Sequence, residues 1–492
     1  MNTKTAYPAY RDSGVPWAPC VPNDWQVLRN GRLFAHRVET GFPDLPILEV
    51  SLKTGVRVRD MQNMKRKQVM SQKEKYKRAV KGDIAYNMMR MWQGAVGAAP
   101  VDGLVSPAYV VVRPFELVNS TYYSYLFRTD VYMREVNKYS RGIVADRNRL
   151  YWDEFKQMPA LVPPLAEQDQ IVAYLRAQDV RIARFIKAKR ELIELLTEQK
   201  LRIVDHAVTR GLDASVRLKP SGIEWLGEVP EHWQTKPLKR WVRINALTLG
   251  DKTDPDFKFR YVDISSVKTG RLMKELEILR FKDAPSRARR VLKRGDTIIS
   301  TVRTYLKAIW YVDKDSDDMI ASTGFAVLTP GKDVDPEYLG FVIQSSAFVN
   351  HVTANSIGIA YPAIAETMLG RFSVVMPPTL AEQKTICRWI VNECQPLDDA
   401  IARADEEIKL IREYRDRLIF DVVTGQIDVR GWQPGPDAHL DPDQQGHVAL
   451  YLGNFSHHWC EFSAVAVVTR RHRPPPHRVR PHHRPAQQGR HR

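Results

Sequence analysis

One stretch occurs twice in this chain, and it limits what the chain can become. The first copy runs from Pro163-Pro164-Leu165-Ala166-Glu167-Gln168 to Thr209-Arg210-Gly211, the second from Pro377-Pro378-Thr379-Leu380-Ala381-Glu382-Gln383 to Thr424-Gly425. Each is a proline stop, about forty-five residues of helical pattern, and a glycine. The residue before a proline avoids the helical region, so the paired prolines end whatever precedes them. Thr379 followed by Glu382 spells a capping box. In the first copy Pro164 takes the cap position, where its fixed φ suits a helix start. Counting by seven gives Leu175, Ile182, Lys189, Leu196 and Ile203, with Phe185 and Leu192 as companions. In the second copy Ile390, Leu397, Ala404, Ile411 and Leu418 recur, with Ile401, Ile408 and Val422 between them. This is a coiled-coil seam, and Gly211 and Gly425 supply its left-handed stops. At about 1.5 Å per residue each helix reaches roughly 65 Å. One such helix cannot bury its seam alone, but an antiparallel intramolecular pair can. Two unrelated amphipathic helices on local cores remain the alternative for either segment by itself, and the matched flanks argue against it for both. Pro396 lies inside the second segment and should kink or break it, so its regular part is expected from near Leu397.

The repeat is longer than the helices. Ser13-Gly14, Trp17, Val21-Pro22 and Trp25 return as Ser221-Gly222, Trp225, Val229-Pro230 and Trp233, an offset of 208. Lys81-Gly82-Asp83 returns as Arg294-Gly295-Asp296, and Ala166-Glu167-Gln168 as Ala381-Glu382-Gln383, at offsets of 213 and 215. A unit of about 210 residues, globular half first and helix second, is therefore duplicated in tandem. Its period is too long for a solenoid. Within each half the pattern is short strands and turns, with strands at Ile84 to Met88, Ala108 to Val112, Thr297 to Val302, Ala308 to Val312, Phe325 to Leu328 and Phe372 to Met376. Helical pieces are expected at Ser120 to Lys138 and Pro336 to Thr353. The fold class is mixed α/β (α+β): two globular domains, two long antiparallel coiled-coil helices and an internal pseudo-twofold repeat. The expected segments are 1–162, 163–211, 212–376, 377–425 and a tail at 426–492.

A net charge of +17 favours polyanionic partners, a generically basic surface being the bland alternative. The tail after Trp432 holds eight arginines against four acids, so about +13 stays with the body. The tail also carries nine of the thirteen histidines among prolines and arginines. Such a tract can bind metal, but its lack of periodicity reads as a disordered extension without a site. Cys20, Cys387, Cys394 and Cys460 form no C-x-x-C pair, which argues against structural zinc and fits a reducing cytoplasm. Cys387 and Cys394, seven apart near the seam, read as small buried hydrophobes. No signal segment and no run of eighteen apolar residues occurs, so no membrane span is expected.

The duplicated unit, the Pro-Pro-x-x-Glu-Gln helix starts, the Val-Thr-Arg-Gly and Val-Thr-Gly ends, and the segment Gly222-Ile223-Glu224-Trp225-Leu226-Gly227-Glu228-Val229-Pro230-Glu231-His232-Trp233 together resemble the specificity subunit of type I restriction–modification systems. The resemblance covers roughly Ser13 to Trp432. It implies two target recognition domains, each reading half of a split sequence in double-stranded DNA. It implies helices that space the domains and dock two methyltransferase (modification) subunits, with motor-nuclease (restriction) subunits completing the enzyme. The chain itself would catalyse nothing. S-adenosylmethionine, ATP and magnesium would sit on the partners, leaving this chain without cofactor or metal, in the cytoplasm.

The residues agree with that picture. No Asn-Pro-Pro-Tyr-type methyltransferase motif, no G-x-x-x-x-G-K-[ST] phosphate loop and no compact carboxylate–lysine nuclease cluster occurs. His36, His206, His232 and His351, the histidines outside the tail, each stand alone. A self-sufficient DNA enzyme with a divergent site, and a protein-binding coiled-coil scaffold without DNA, are the competing readings. Activity of the purified chain alone would favour the first of these, and absent or salt-independent DNA binding the second.

Base readout needs Arg, Lys, Asn or Gln at base edges, with further basic groups on phosphates. After each Gly-Asp turn a strand enters an unusual loop: Arg90, Trp92 and Gln93 in the first half, Arg303, Tyr305 and Lys307 in the second. Arg90 and Arg303 correspond at the offset of 213. The alternative makes the aromatics core and the arginines a solvated face. A glycine loop late in each half, Ser140-Arg141-Gly142-Ile143 and Ser356-Ile357-Gly358-Ile359, is the second candidate, with Arg147, Asn148 and Arg149 following in the first half only. Lys65-Arg66-Lys67, Lys73 to Arg78, and Arg287, Arg289 and Arg290 are expected on phosphates or solvent. Motifs shared by the halves should carry scaffold roles, and base-reading residues should lie where the halves differ.

Overall fold

The computed structural model describes residues 6–60, 73–142, 148–273, 275–314, 318–358 and 361–434. The chain divides into two compact units. One comprises residues 1–186 and 411 onward, the other residues 187–410. Each unit therefore takes one globular half and a part of both long helices.

The long helices are Leu165–Arg210 and Leu380–Val423. The Pro164 carbonyl accepts the amides of Glu167 and Gln168 at 2.9 and 3.0 Å, opening the first helix. At the second, Thr379 Oγ1 accepts the Glu382 amide at 3.3 Å. Both helices end on a glycine in the left-handed region, Gly211 at φ +71° and Gly425 at φ +73°. Glycine is required there twice over. A Cβ on Gly425 would stand 2.5 Å from Pro22 Cδ, and one on Gly211 would stand 3.3 Å from the Trp233 ring.

Pro396 does not break the second helix, which runs through it without interruption from Leu380. The expected start near Leu397 is thus corrected. A proline leaves the carbonyl four residues earlier without its donor. That carbonyl belongs to Asn392, and both Asn392 and Pro396 are exposed, so water can take the vacated bond.

In the first unit the start of the first helix lies beside the end of the second: Ile171, Val172 and Leu175 share a core with Leu418, Ile419, Val422 and Val423. In the second unit Val204, Ala207 and Val208 share a core with Ile386, Cys387, Ile390 and Cys394. The helices therefore pack antiparallel within each unit. Of the expected seam positions, Leu175, Ile182, Ile401, Ile408 and Leu418 are buried, and Leu196, Ile203, Leu397 and Ile411 are half-buried. Phe185 and Leu192 are 38% and 40% exposed, contrary to expectation. A straight helix drifts about 20° per heptad against a strict period of seven, and Ala183 and Ile186 occupy the buried positions instead. Polar links add to the seam. Lys189 pairs with Glu407 and Lys200 with Asp398 in the second unit. In the first, buried Arg415 grips Asp179 at 2.6 and 3.3 Å, and Asp179 also accepts the Tyr125 hydroxyl at 2.9 Å.

The globular halves repeat in structure. The first has an antiparallel sheet in the order Phe34–Arg37, Tyr109–Pro114, Ile84–Asn87, Val96–Ala98. The second has Val242–Ile244, Phe325–Pro330, Thr297–Ser300, Ile309–Tyr311 in the same order. A two-stranded pair joins the beginning and end of each half: Gln26–Arg29 with Pro159–Val162, and Gln234–Pro237 with Ser373–Met376. Each helical piece is two helices, Ser120–Phe127 with Asp130–Tyr139 and Pro336–Gln344 with Ser346–Ala354. The Gly-Asp turns match as well. Asp83 accepts the Val80 amide at 2.9 Å, and Asp296 accepts the Lys293 amide at 2.8 Å.

The halves also differ. The second adds a mixed sheet ordered Glu277–Arg280, Lys258–Val262, Met319–Ser322, Ala288–Val291. The first has two small antiparallel pairs, the hairpin Leu48–Ser51 with Gly55–Val58, and Lys77–Ala79 with Gly103–Val105.

Candidate nucleic-acid interface

A binding surface needs a rigid scaffold beneath its loops. The Glu-Gln pair opening each long helix anchors that scaffold. In the first unit Glu167 accepts the Trp25 indole N–H at 3.0 Å and the Tyr7 hydroxyl. Burial, and the neighbouring Glu167 carboxylate, push the Tyr7 pKa far above its ordinary range, so Tyr7 remains a donor. In the second unit Glu382 accepts the Trp233 indole N–H at 2.8 Å and lies 3.0 Å from His232 Nε2.

The glutamines go further. Gln168 Oε1 accepts the Asn119 amide at 2.9 Å while its Nε2 donates to the carbonyls of Leu117 and Pro163. Gln383 Oε1 accepts the Asp335 amide at 2.7 Å while its Nε2 donates to the carbonyls of Asp333 and Pro377. Asn119 and Asp335 are the N-caps of the helices at Ser120 and Pro336. Each glutamine thus ties a domain helix to the long helix. Sequence reasoning used this motif only as a helix start. Its return beside Trp25 and Trp233 in both copies was the signal for the wider role.

In the second half the strand Thr297–Ser300 leads into a single turn, Thr304–Leu306, bracketed by Arg303 and Lys307. Both brackets have left-handed backbones, φ +52° and +50°. Such geometry costs on the order of 1–3 kcal/mol per residue and persists only where its surroundings enforce it. Here the Arg303 amide donates to Pro362 at 2.7 Å, the Ile364 amide donates to Thr301 at 2.8 Å, and Thr269 Oγ1 donates to the Lys307 carbonyl at 2.8 Å. Thr304 Oγ1 and Ser356 Oγ are 2.8 Å apart. The arginine loop and the glycine loop, separate in sequence, are therefore one structure.

The basic strand Ala288–Val291 reaches the same place. The Thr323 amide donates to the Arg287 carbonyl at 2.7 Å, and the next residue, Gly324, accepts the Thr301 amide at 2.8 Å. Arg287 donates to the Tyr261 hydroxyl and pairs with Asp263 at 2.9 Å. Burial alone would raise the Asp263 carboxyl, but the Ser265 amide and the Arg287 guanidinium hold it below its usual value. Arg289 lies over the Phe281 ring, and the largely buried Arg290 pairs with Glu366 at 2.5 Å. Arg303 is exposed, with its guanidinium 4.7 Å from the centre of the Tyr361 ring. Tyr305 and Lys307 are exposed beside it.

The first half uses the same plan with other side chains. Exposed Arg90 caps the turn Met91–Gln93, and Gln93 is half-buried. Trp92 is half-buried against the core and donates its indole N–H to Met89 at 3.0 Å. The Leu150 amide donates to the Met88 carbonyl at 2.9 Å, which brings the second candidate loop to the first. Arg141 pairs with Glu154 at 2.6 Å, and Asn148 donates to Asn137 at 2.8 Å. Of the Lys73 to Arg78 run, Arg78 pairs with Glu39 and Asp102, and Lys77 donates to the Tyr109 carbonyl. Arg147, Lys65-Arg66-Lys67, Ile143, Ile359, Cys460 and the tail from 435 lie outside the described residues.

The sequence marks Ile357 only within the glycine loop and carries no signal for Tyr361. They are 85% and 66% exposed. No local pattern marks an apolar residue as exposed. Among the described residues no cluster of three or more His, Cys, Asp or Glu could hold a metal, and no helix is long and apolar enough to cross a membrane.

Two α/β halves with basic loops, tied to paired long helices by a repeated lock, define the class of architecture. No protein-family model matches the chain. Its fold is similar to that of a chain solved in work on complex assembly and conformational transition of the type I restriction–modification system. The TM-score is 0.54 at 15% identity, over 82% of this chain and 98% of that one. The HsdS subunit from Thermoanaerobacter tengcongensis aligns over 83% of this chain and 98% of its own, with 16% identity and a TM-score of 0.39. In sequence, the chain is similar to the specificity subunit of the type I restriction enzyme HindI from Haemophilus influenzae, 28% identical over 148 residues, or 29% of this chain. The match spans 31% of that relative's length. The chain thus resembles the specificity subunits of type I restriction–modification systems.

Proposed function

We propose that the chain is the DNA sequence-recognition subunit of a type I restriction–modification complex. Each globular half reads one part of a bipartite target in double-stranded DNA. The long helices set the spacing and dock two methyltransferase subunits, and motor-nuclease subunits complete the assembly. The chain is not itself catalytic and acts in the cytoplasm. S-adenosylmethionine, ATP and magnesium belong to its partners.

The observation that carries this reading is the structural repeat. Two differently decorated loop clusters, around Arg90 and around Arg303, stand on the same scaffold, and that scaffold is tied to the long helices by the same Glu-Gln contacts in both halves. A shared frame with divergent loops is what two unlike half-sites require. Phosphate contacts supply affinity and register, and base edges supply identity.

Co-expression with methyltransferase subunits, followed by sequencing of the modified DNA, tests the reading. The expected result is methylation at a split motif with a fixed gap. Deleting four residues from each long helix removes about 6 Å and should shorten that gap by about two base pairs, at roughly 3.4 Å each. An unchanged gap sinks the ruler role. Absence of any split motif sinks the function.

A further inference from the structure

The second half carries a small apolar face, half-buried at Val302 and Ala363 and open at Ile357, next to an arginine that makes no ion pair among the described residues. Ala363 bridges Ile357 on one side and Val302 on the other. Ile357 and Ala363 exchange both backbone bonds, at 2.8 and 2.9 Å. Residues opposite one another across a ladder point to the same face, so Ile357, Ala363 and Val302 share one. Ile357 is 85% exposed, which leaves its side chain with almost no protein around it. Burying it elsewhere would stabilise the fold, and the protein forgoes that. Beside it, Arg303 is fixed by its left-handed backbone and by the Tyr361 ring under its guanidinium. A guanidinium stacked on an aromatic has fewer rotamers to lose on binding.

This inference rests on the proposed DNA-reading role and names the bases. We infer that the Arg303 loop enters the major groove of the second half-site. There Arg303 donates two N–H groups to O6 and N7 of a guanine, and Ile357 packs on the C5-methyl of a thymine. Both features exist only in the major groove, where an arginine–guanine pair and an apolar contact with the thymine methyl are the pairings that geometry favours. Two antiparallel bridges of about 4.5 and 5.5 Å place the backbones of Val302, the residue before Arg303, and Ile357 about 10 Å apart. That is about three base-pair rises of roughly 3.4 Å, so with the reach of the Arg303 side chain the guanine and the thymine lie within one half-site, a few base pairs apart. Tyr361 positions the guanidinium without itself reading a base.

The test uses the full chain in complex with its co-expressed methyltransferase subunits. The wild-type motif is mapped first. Duplexes carrying 7-deazaguanine or deoxyuridine at single positions of the second half-site are then assayed for binding. One guanine replaced by 7-deazaguanine and one nearby thymine replaced by deoxyuridine should each weaken wild-type binding, the guanine change on the order of tenfold to a hundredfold. Arg303→Lys keeps the charge but not the fork. It should erase the penalty for 7-deazaguanine while leaving the first half-site and the salt dependence as in wild type. Ile357→Ala should erase the penalty for deoxyuridine alone.

A second half-site without guanine overturns the assignment. So does an Arg303→Ala variant that weakens binding equally on all sequences and lowers the salt slope by about one, because that is a phosphate contact. Those outcomes leave the DNA-reading role standing. A wild-type complex that marks no split motif removes both.

Discussion

Gln383 offers the sharpest test of how a domain is held to its helix. It is fully buried and makes three hydrogen bonds. Gln383→Ala strands the Asp335 amide, the cap of the helix Pro336–Gln344, and the carbonyl of buried Pro377. The third partner, the carbonyl of Asp333, belongs to an exposed residue and regains water. Two stranded groups at about 1–3 kcal/mol each give a loss of about 4 kcal/mol. Gln383→Glu keeps an acceptor for Asp335 but cannot donate, so it should fall between wild type and Ala. Exposed Gln395→Ala, whose side chain bonds exposed Asp399, serves as the control and should stay within about 0.5 kcal/mol. Urea unfolding gives the magnitude. Hydrogen exchange of the amides from Asp335 to Gln344 gives the location, with protection lost there first. A loss under about 1 kcal/mol, or unchanged exchange in that helix, would refute the claim that the glutamine ties the two helices together. The matching change, Gln168→Ala, should loosen Ser120–Phe127 through Asn119.

Other outcomes follow from single residues. Gly425→Ala should cost far more than Gly211→Ala, because its Cβ meets Pro22 at 2.5 Å rather than an aromatic edge at 3.3 Å; equal melting temperatures for the two variants would contradict the packing described. Pro396→Ala should stabilise the chain by up to about 3 kcal/mol, the helix-propensity difference, and a drop in melting temperature would show that the proline has a role beyond tolerance. Asp416 has a pKa raised to about 6 by burial, against the pull of Arg415 and with Asp130, Asp179 and Arg128 nearby. Ionised Asp416 therefore costs stability above about pH 6, and the cost fades as pH falls toward 3.8, its ordinary value. Asp416→Asn should melt higher than wild type at pH 7.5 and no higher at pH 4; a gap that widens on acidification would reverse the sign.

The helix ends were legible because proline and glycine act locally: Pro164 and Thr379 start the helices and Gly211 and Gly425 stop them, as read. Pro396 misled because its effect depends on whether water can reach the freed carbonyl, which is a surface question. Phe185 and Leu192 misled because a period of seven does not follow a straight helix. The mixed sheet of the second half went unseen. Its strands, such as Lys258–Val262 and Glu277–Arg280, are short and charged, and one of its pairings is parallel and distant in sequence. The candidate surface was legible only in pieces. Arg303 and the glycine loop were each marked, but their union runs through Pro362, Ala363 and Ser356, and no local signal connects those to Arg303.

Biosynthesis meets this chain in an inverted order. The amino-terminal core is completed by Leu418, Ile419, Val422, Val423, Ile427 and Val429, and the Tyr10 hydroxyl donates to the carbonyl of Gly425, 415 residues later. The second unit is continuous in sequence and can close as it leaves the ribosome. At about 5–20 residues per second, the lobe made first waits roughly ten to fifty seconds with its apolar interior open. That interval is when chaperones or aggregation act on it, and a nonsense product ending before Leu418 never leaves it.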